Sequence, residues 1–142
     1  MASHRNDRFM LLASGARTST STGTTAVVDM GGYAAMLFEL DVTAAATEVD
    51  DTLDVFIQTV IGNDWVDIVH FTQVLGNGSA KRYFGKVSAA EPMTMFENAT
   101  ALGAAAVRNM MGDSYRVRYA IVDPGGSAVS FTFSVVATGV SQ

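Results

Sequence analysis

The sequence predicts an all-β fold: an antiparallel β-sandwich, jelly-roll-like, with about eight strands and one short helical or irregular insertion. Three observations predict it. Apolar and polar side chains alternate along many segments, as they do on strands with one buried face. Glycine- and asparagine-containing turn motifs separate these segments. Finally, 142 residues with 49% apolar side chains suffice for one domain with one hydrophobic core.

The segment 51–74, DTLDVFIQTVIGNDWVDIVHFTQV, is the clearest element. Leu53, Val55 and Ile57 alternate with polar residues, which predicts a half-buried strand. Gly62–Asp64 then supplies turn residues that accept positive φ at little cost. The chain returns through a run dense in β-branched and aromatic residues. The segment is therefore interpreted as a β-hairpin.

Six further segments show strand patterns, and turn motifs such as DPGG separate several of them. In chain order they are FMLLASG (9–15), TTAVVDM (24–30), YAAMLFELDV (33–42), AKRYFGKVS (80–88), SYRVRYAIV (114–122) and VSFTFSVVATG (129–139). Because the apolar positions of each strand share a face, we expect the core to include Leu53, Val55, Ile57, Val117, Tyr119, Phe131 and Phe133.

Two segments depart from the strand pattern. Residues 1–26 are interpreted as an N-terminal arm preceding a sandwich domain of residues 27–142. Its Ser/Thr run cannot by itself offset a backbone ordering cost of ~1–2 kcal/mol per residue. We therefore expect the arm to reach another chain, with FMLL adding to a neighbour's sheet edge. Residues of about 89–112 are interpreted as an insertion, with a helix or irregular excursion around 99–111. The candidate interface residues are Arg5, Arg8, Phe9, Met10, Leu11, Arg17, Met110 and Met111.

Charge is unevenly distributed along the chain. Residues 18–80 contain nine acidic side chains and no Lys or Arg, while the flanking segments are basic and the net charge is −5. This pattern indicates either a solvated acidic face or subunits that dock acidic side to basic side. A nucleic-acid partner is not expected, because phosphate binding needs a basic patch. No apolar run reaches the ~18 residues of a membrane helix. The short apolar FMLLA, preceded by Asp7, does not fit a secretion signal, so we expect no membrane partner and no export.

The residues that could support chemistry are few. The chain has no cysteine, and its histidines are His4 and His70, the latter in mid-strand and interpreted as structural. No nucleophile–base set can be assembled, so we expect no enzyme activity, no catalytic residue and no cofactor. The acidic run Glu48–Asp54 lacks the order and glycine of an EF-hand and is interpreted as a solvated loop, with no metal expected. Trp65 and Tyr83 could instead form a sugar-stacking platform, as in a carbohydrate-binding module.

Three runs carry a family resemblance: residues 31–74, which begin GGYAAMLFELDVTA; KRYFGKV (81–87); and YRVRYAIVDPGGSAVSFTFSVVATG (115–139). They resemble small β-sandwich virion structural proteins of tailed bacteriophages, of the capsid decoration or cement type. Residues 89–112 depart from that pattern. The resemblance implies a protein of the head surface, made in the host bacterial cytoplasm, that stabilises the head by bridging capsomers. Its implied partners are the major capsid protein and copies of itself, with a trimer favoured. A head–tail connector or tail structural protein is the alternative within the virion.

Overall fold

The computed structural model describes residues 6–19, 25–126 and 128–141. Within these ranges all regular structure is β-strand, and no helix there is long and apolar enough to cross a membrane. The ten strands are β1 (Asn6–Arg17), β2 (Val28–Asp29), β3 (Ala35–Ala44), β4 (Thr52–Ile61), β5 (Asp64–His70), β6 (Val74–Leu75), β7 (Lys81–Ser88), β8 (Ala106–Val107), β9 (Ser114–Val122) and β10 (Phe131–Val140).

The pairing of the strands is nested and antiparallel. β1 pairs with β10, β2 with β9, β3 with β7 and β4 with β5, so the chain forms a long ribbon closed by the β4–β5 hairpin. The ribbon folds over on itself, so that its strands form two sheets. The four-stranded sheet has the order β1-β10-β3-β7. The six-stranded sheet has the order β2-β9-β4-β5-β8, and its sixth strand, β6, pairs with β4. Eight strands paired in this way form a jelly roll, which confirms the predicted sandwich. β6 and β8 are short additions.

The predicted hairpin forms the centre of the six-stranded sheet. β4 lies between β9 and β5, and the turn residue Gly62 has φ of +62°, a conformation that glycine adopts without steric cost. Every second residue of β4 faces the four-stranded sheet, so Leu53, Val55 and Ile57 are fully buried.

The core lies between the two sheets, where their inner faces meet. The four-stranded sheet contributes Met36, Phe38 and Leu40, each at most 1% exposed. Of the seven core residues predicted from the sequence, six are fully buried; Tyr119 is partly buried and packs against the core edge. Alternation was sufficient to identify these residues because the inner face of each sheet is consistently buried, although the segment 89–112 also covers part of the outer face of the six-stranded sheet.

The segment 89–112 is irregular rather than helical. Apart from β8, none of it is regular structure, and Ala105 adopts φ of +57°. Alanine's helix propensity is worth only a few tenths of a kcal/mol per residue over most alternatives, so tertiary contacts can override it. Here the Arg108 amide donates to the Ile68 carbonyl at 2.8 Å, which pairs the segment with the six-stranded sheet instead of with itself.

The N-terminal segment differs from the arm that was expected. Residues 6–17 form β1, and β1 pairs with β10 of the same chain along most of its length. The FMLL segment therefore adds to the chain's own sheet edge and not to a neighbour's, and Leu11 is 3% exposed within the core. Residues 1–5 and 20–24 of the expected arm lie outside the described residues.

Tyr115 joins the two sheets at the centre of the core. Its ring is fully buried, 5.8 Å from the Phe38 ring of the opposite sheet. Its hydroxyl donates to the Gly112 carbonyl at 3.1 Å and accepts from the Gly112 amide at 3.2 Å. Burial raises the pKa of this hydroxyl, which keeps it protonated as a donor.

Substitutions of Tyr115 should separate packing from hydrogen bonding. We expect Tyr115→Phe to lower the free energy of unfolding by ~1–3 kcal/mol, because Gly112 loses its partner. Tyr115→Ala should cost ~3–5 kcal/mol, because it also leaves a cavity. Urea unfolding followed by tryptophan fluorescence measures both. Equal losses in the two variants would contradict the packing role of the ring.

Candidate functional site

The outer sheet face is the side of the four-stranded sheet that points away from the core. Because side chains alternate along each strand, the register of the sheet aligns its outward residues in rows that cross all four strands. Two adjacent rows are Met10, Val136, Glu39 and Phe84, and Arg8, Thr138, Leu37 and Lys86. Together they form one continuous surface from the β1 edge to the β7 edge.

This surface exposes large apolar side chains. Phe84 is 72% exposed, Met10 53% and Leu37 42%. A groove of about 460 Å³ is lined by the apolar residues Leu37, Phe84 and Val136 and by the charged residues Arg8, Glu39 and Lys86. Single exposed apolar residues are ordinary on protein surfaces, but a cluster of apolar side chains with charged neighbours is typical of a binding surface.

Local packing explains why Phe84 points outward. The next residue, Gly85, faces the six-stranded sheet, where a Cβ would lie 3.2 Å from Cγ1 of Val69. The absence of a side chain lets β7 approach β5 closely. Since neighbouring residues of a strand point to opposite faces, this fixes Phe84 on the solvent side.

One ion pair orders the β7 edge of the outer sheet face. Nη2 of Arg82 donates to Oε1 of Glu39 at 2.8 Å, and the Arg82 guanidinium lies 5.8 Å from the Phe84 ring centroid. The hydrogen bond to Glu39 is the main reason that the pKa of Arg82 is raised. The pair is solvent-exposed and contributes little to stability, but it holds charge of both signs beside the apolar groove.

The predicted interface residues do not share one surface. Arg8 and Met10 lie on the outer sheet face, where they contribute to the β1 end of its two rows. Phe9 and Leu11 point to the opposite side: Phe9 packs edge-on against Tyr33 at 6.1 Å, and Leu11 lies in the core. Arg5 lies outside the described residues.

The remaining candidates contact their own chain. Arg17 donates to the backbone carbonyls of Ala13, Gly15 and Phe133 at 2.6–2.9 Å, and its guanidinium lies 4.7 Å from the Phe133 ring. Met110 and Met111 are partly buried against the core. These side chains stabilise the sandwich in the isolated chain.

Leu37, Phe84 and Lys86 belong to the outer sheet face and were not among the predicted interface residues. A sequence signal for them exists. Phe84 stands between Arg82 and Lys86 at a spacing of two, so one strand face carries a phenylalanine flanked by two cations. Leu37 is likewise an apolar residue at an outward position of an alternating strand.

The acidic and basic segments of the sequence meet within the chain. Nη2 of Arg118 on β9 bonds to Oδ2 of Asp67 on β5 at 2.9 Å, and Arg82 bonds to Glu39. Nε of Arg116 also donates to Oε1 of Gln58 at 2.8 Å. Nested strand pairing places late strands beside early ones, so part of the charge separation along the sequence is neutralised inside one molecule.

His70 attaches the segment 89–112 to the six-stranded sheet. Its Nε2 lies 2.8 Å from Oδ1 of Asp54, its Nδ1 lies 2.8 Å from the Leu102 carbonyl, and its ring stacks on Phe56 at 3.9 Å. Both ring nitrogens thus have partners in the protein. This geometry suits the structural role inferred for the residue.

Trp65 and Tyr83 do not form a common platform. Trp65 belongs to the six-stranded sheet, and the Arg116 guanidinium covers its ring at 4.2 Å. Tyr83 belongs to the four-stranded sheet and packs against the core. A sugar ring could not stack on both residues together.

Arg108 is the principal polar anchor of the 89–112 segment. Its guanidinium donates to the Asp67 carbonyl at 3.1 Å and to the Thr100 carbonyl at 2.7 Å, and it lies 3.7 Å from the Phe96 ring centroid. Arginine can satisfy these three contacts at once because its planar fork carries five N–H donors and stacks on aromatic rings.

Removal of this anchor should loosen the segment without unfolding the sandwich. We expect Arg108→Ala to increase amide hydrogen exchange across residues 91–105 by ~10-fold or more, since two hydrogen bonds and a cation–π contact are lost. Arg82→Ala is the control, because Arg82 contacts a different sheet. Unchanged exchange in Arg108→Ala would mean that the segment is held by other contacts.

No protein-family model and no curated protein matches this sequence. Solved structures do match. A structure of infectious bursal disease virus, Gx strain, aligns with 99% of this chain at a TM-score of 0.55 and 11% identity. The structure of the VP2 subviral particle of infectious bursal disease virus aligns with 98% at a TM-score of 0.53 and 11% identity. This chain spans 33% of each of those chains. At this identity, the likeness establishes a shared β-sandwich fold.

Proposed function

We propose that this protein is a virion structural protein, specifically a capsid decoration or cement protein, and that it docks through the outer sheet face. The observation that carries the proposal is the apolar cluster around Phe84, whose ring is 72% exposed beside Leu37 and Val136. Water-exposed aromatic surface of this size is most simply explained by burial against another protein. The fold likeness to chains of a virus structure and the resemblance to phage head proteins both support a partner within a virion.

The size of the surface limits what it can bind alone. Four strands spaced ~4.8 Å apart and about eight residues long give a projected area of roughly 500 Å². A standard specific interface buries ~800 Å² on each partner. The outer sheet face therefore needs help from flanking loops or from a second copy of the protein. This requirement favours a homo-oligomer, with a trimer as our first choice, seated on the major capsid protein at the head surface.

The charged side chains of the outer sheet face provide orientation. Arg8 and Lys86 lie at the two ends of one row, and Glu39 lies in the adjacent row between Val136 and Phe84. Charges of both signs among apolar side chains fix the register of docking more than they add affinity. The proposed function is burial and not chemistry, so we propose no catalytic activity. Many modest contacts repeated over a shell would stabilise it through multivalency.

Cryo-electron microscopy of the virus particle that encodes this chain tests the proposal. We expect density for the sandwich on the outside of the head, with the face bearing Phe84 turned towards the shell or a neighbouring copy. A ring of about six or twelve copies at the head–tail junction would instead identify a connector. Absence of the chain from purified particles would refute a virion role.

Solution binding tests provide a second route. Purified protein should co-sediment with isolated heads, and analytical ultracentrifugation should detect self-association. Glycan binding that is lost on Trp65→Ala would instead support a carbohydrate-binding module.

A further inference from the structure

Three acidic residues converge just before β4. One carboxylate oxygen from each of Glu48, Asp50 and Asp51 lies within 4.8 Å of the others. Asp123, in the turn between β9 and β10, is close enough to interact with Asp51. Residues distant in sequence thus bring four carboxylates to one end of the jelly roll. We refer to these four residues as the acidic cluster.

Asp51 distinguishes this cluster from an ordinary acidic surface. The residue is 0% exposed, and among the described residues no N–H or hydroxyl group donates to Oδ1 or Oδ2; the side chain that interacts with them is another carboxyl group, that of Asp123. An ionised carboxylate that is removed from water without a partner is strongly destabilised. The charged groups that act on it are Asp123, Glu48 and Asp50, all of which are acidic. Within the part of the chain that the structure describes, no positive charge is thus among the groups that shift the pKa of Asp51.

The backbone holds the cluster in place. The Asp51 amide donates to the Glu48 carbonyl at 3.2 Å, and the Asp51 carbonyl accepts from the Gly76 amide at 2.9 Å. A Cβ at Gly76 would overlap the Glu48 carbonyl, and a Cβ at Gly125 would lie 2.9 Å from Oε2 of Glu48. The glycines allow two turns to close around the acidic loop, so the carboxylates cannot readily separate to relieve their repulsion.

We infer that Glu48, Asp50, Asp51 and Asp123 form a binding site for a divalent cation, with Ca²⁺ as the preferred ion. The donor set contains only carboxylate oxygens, which suit hard cations such as Ca²⁺ and Mg²⁺ better than zinc or copper, whose sites usually include His or Cys. Ca²⁺ fits better than Mg²⁺ because it accepts irregular coordination by carboxylates and does not require a strict octahedron. A bound cation would supply the missing partner of Asp51 and would connect the loop before β4 to the β9–β10 turn.

Protonation is the alternative way to relieve the repulsion. Burial, a hydrogen bond with the Asp123 carboxyl group and the nearby charges of Asp123, Glu48 and Asp50 together raise the pKa of Asp51 from 3.8 to about 6. Because this folded-state pKa lies above the unfolded value, the stability gained by protonation is fully present below ~3.8 and is lost as pH rises through about 6.

Thermal unfolding of the EDTA-treated full-length chain, with and without millimolar CaCl₂, tests the inference. At about pH 7.5 we expect Ca²⁺ to raise Tm by ~5 °C. MgCl₂ should have a smaller effect, and NaCl of equal ionic strength should have none. Direct titration by calorimetry should give one bound Ca²⁺ per chain.

Two substitutions make the test specific. Asp51→Asn should abolish the Ca²⁺-dependent rise in Tm, and in EDTA its Tm should be at least that of the natural chain, because the repulsion is removed. Asp64→Asn, which changes an exposed acid at the β4–β5 turn, should retain the full Ca²⁺ effect. Absence of a Ca²⁺ effect at about pH 7.5, or its persistence in Asp51→Asn, would overturn the inference and leave the cluster as a proton-sharing carboxyl group.

Discussion

Replacement of Phe84 by serine is expected to weaken attachment to heads by ~30-fold or more. An aromatic side chain that becomes buried at an interface can contribute ~2 kcal/mol or more, and each ~1.4 kcal/mol is a factor of ten in affinity. Phe84 is 72% exposed in the isolated chain, so its loss should change Tm by no more than ~2 °C. Binding is measured by co-sedimentation with heads over a range of protein concentrations, and stability by thermal unfolding.

Ile61→Ser is the matched control for this prediction. Ile61 is also a large apolar residue and is 45% exposed, but it lies at the β4–β5 turn of the other sheet. The control should bind heads as tightly as the natural chain. If Ile61→Ser and Phe84→Ser weaken binding equally, general surface hydrophobicity, and not the outer sheet face, drives attachment. If neither weakens binding, the docking surface lies elsewhere.

Deletion of residues 2–16 is expected to abolish the stable fold. The deletion removes almost all of β1 and leaves β10 as an unpaired edge, although Phe133, Val135 and Ala137 of β10 are fully buried in the intact protein. An exposed apolar edge strand is also a template for aggregation. We expect an insoluble protein, or one without a cooperative unfolding transition. A soluble variant with the natural Tm would show that β1 is a dispensable arm.

Two adjacent residues of β1 separate its structural and docking roles. Leu11 is 3% exposed and Met10 53% exposed, although both are apolar. Leu11→Ala should lower the free energy of unfolding by ~2–5 kcal/mol, whereas Met10→Ala should change it by at most ~0.5 kcal/mol. Only Met10→Ala should weaken head binding per folded molecule. Urea unfolding and co-sedimentation distinguish the two effects. Equal stability losses would mean that β1 packs in a different register.

The fold class and most of the core could be predicted from the sequence alone. Apolar side chains recur at every second position of β3, β4, β9 and β10 because one face of each strand lies against the core, and this recurrence is a local property that a single strand displays. The turns at Gly62 and Gly126 could also be predicted from local sequence. Both glycines have positive φ, and glycine is the residue that reaches this conformation most easily.

Which elements meet could not be predicted from the local pattern and became known from the three-dimensional structure. FMLL and the sandwich strands have the same local pattern, so the sequence could not tell whether β1 joins its own sheet or a neighbour's. The segment 89–112 contains helix formers, but contacts of Arg108 and His70 with the six-stranded sheet prevail over their weak propensity.

The two candidate sites have the same explanation. Phe84 and Leu37 share a surface because β7 pairs with β3 in an antiparallel register. Asp123 approaches Asp51 because the folding of the ribbon over itself brings the β9–β10 turn close to the loop before β4. The sequence therefore determined what each strand buries, whereas nested pairing over long sequence separations decided which outward residues and which carboxylates lie together.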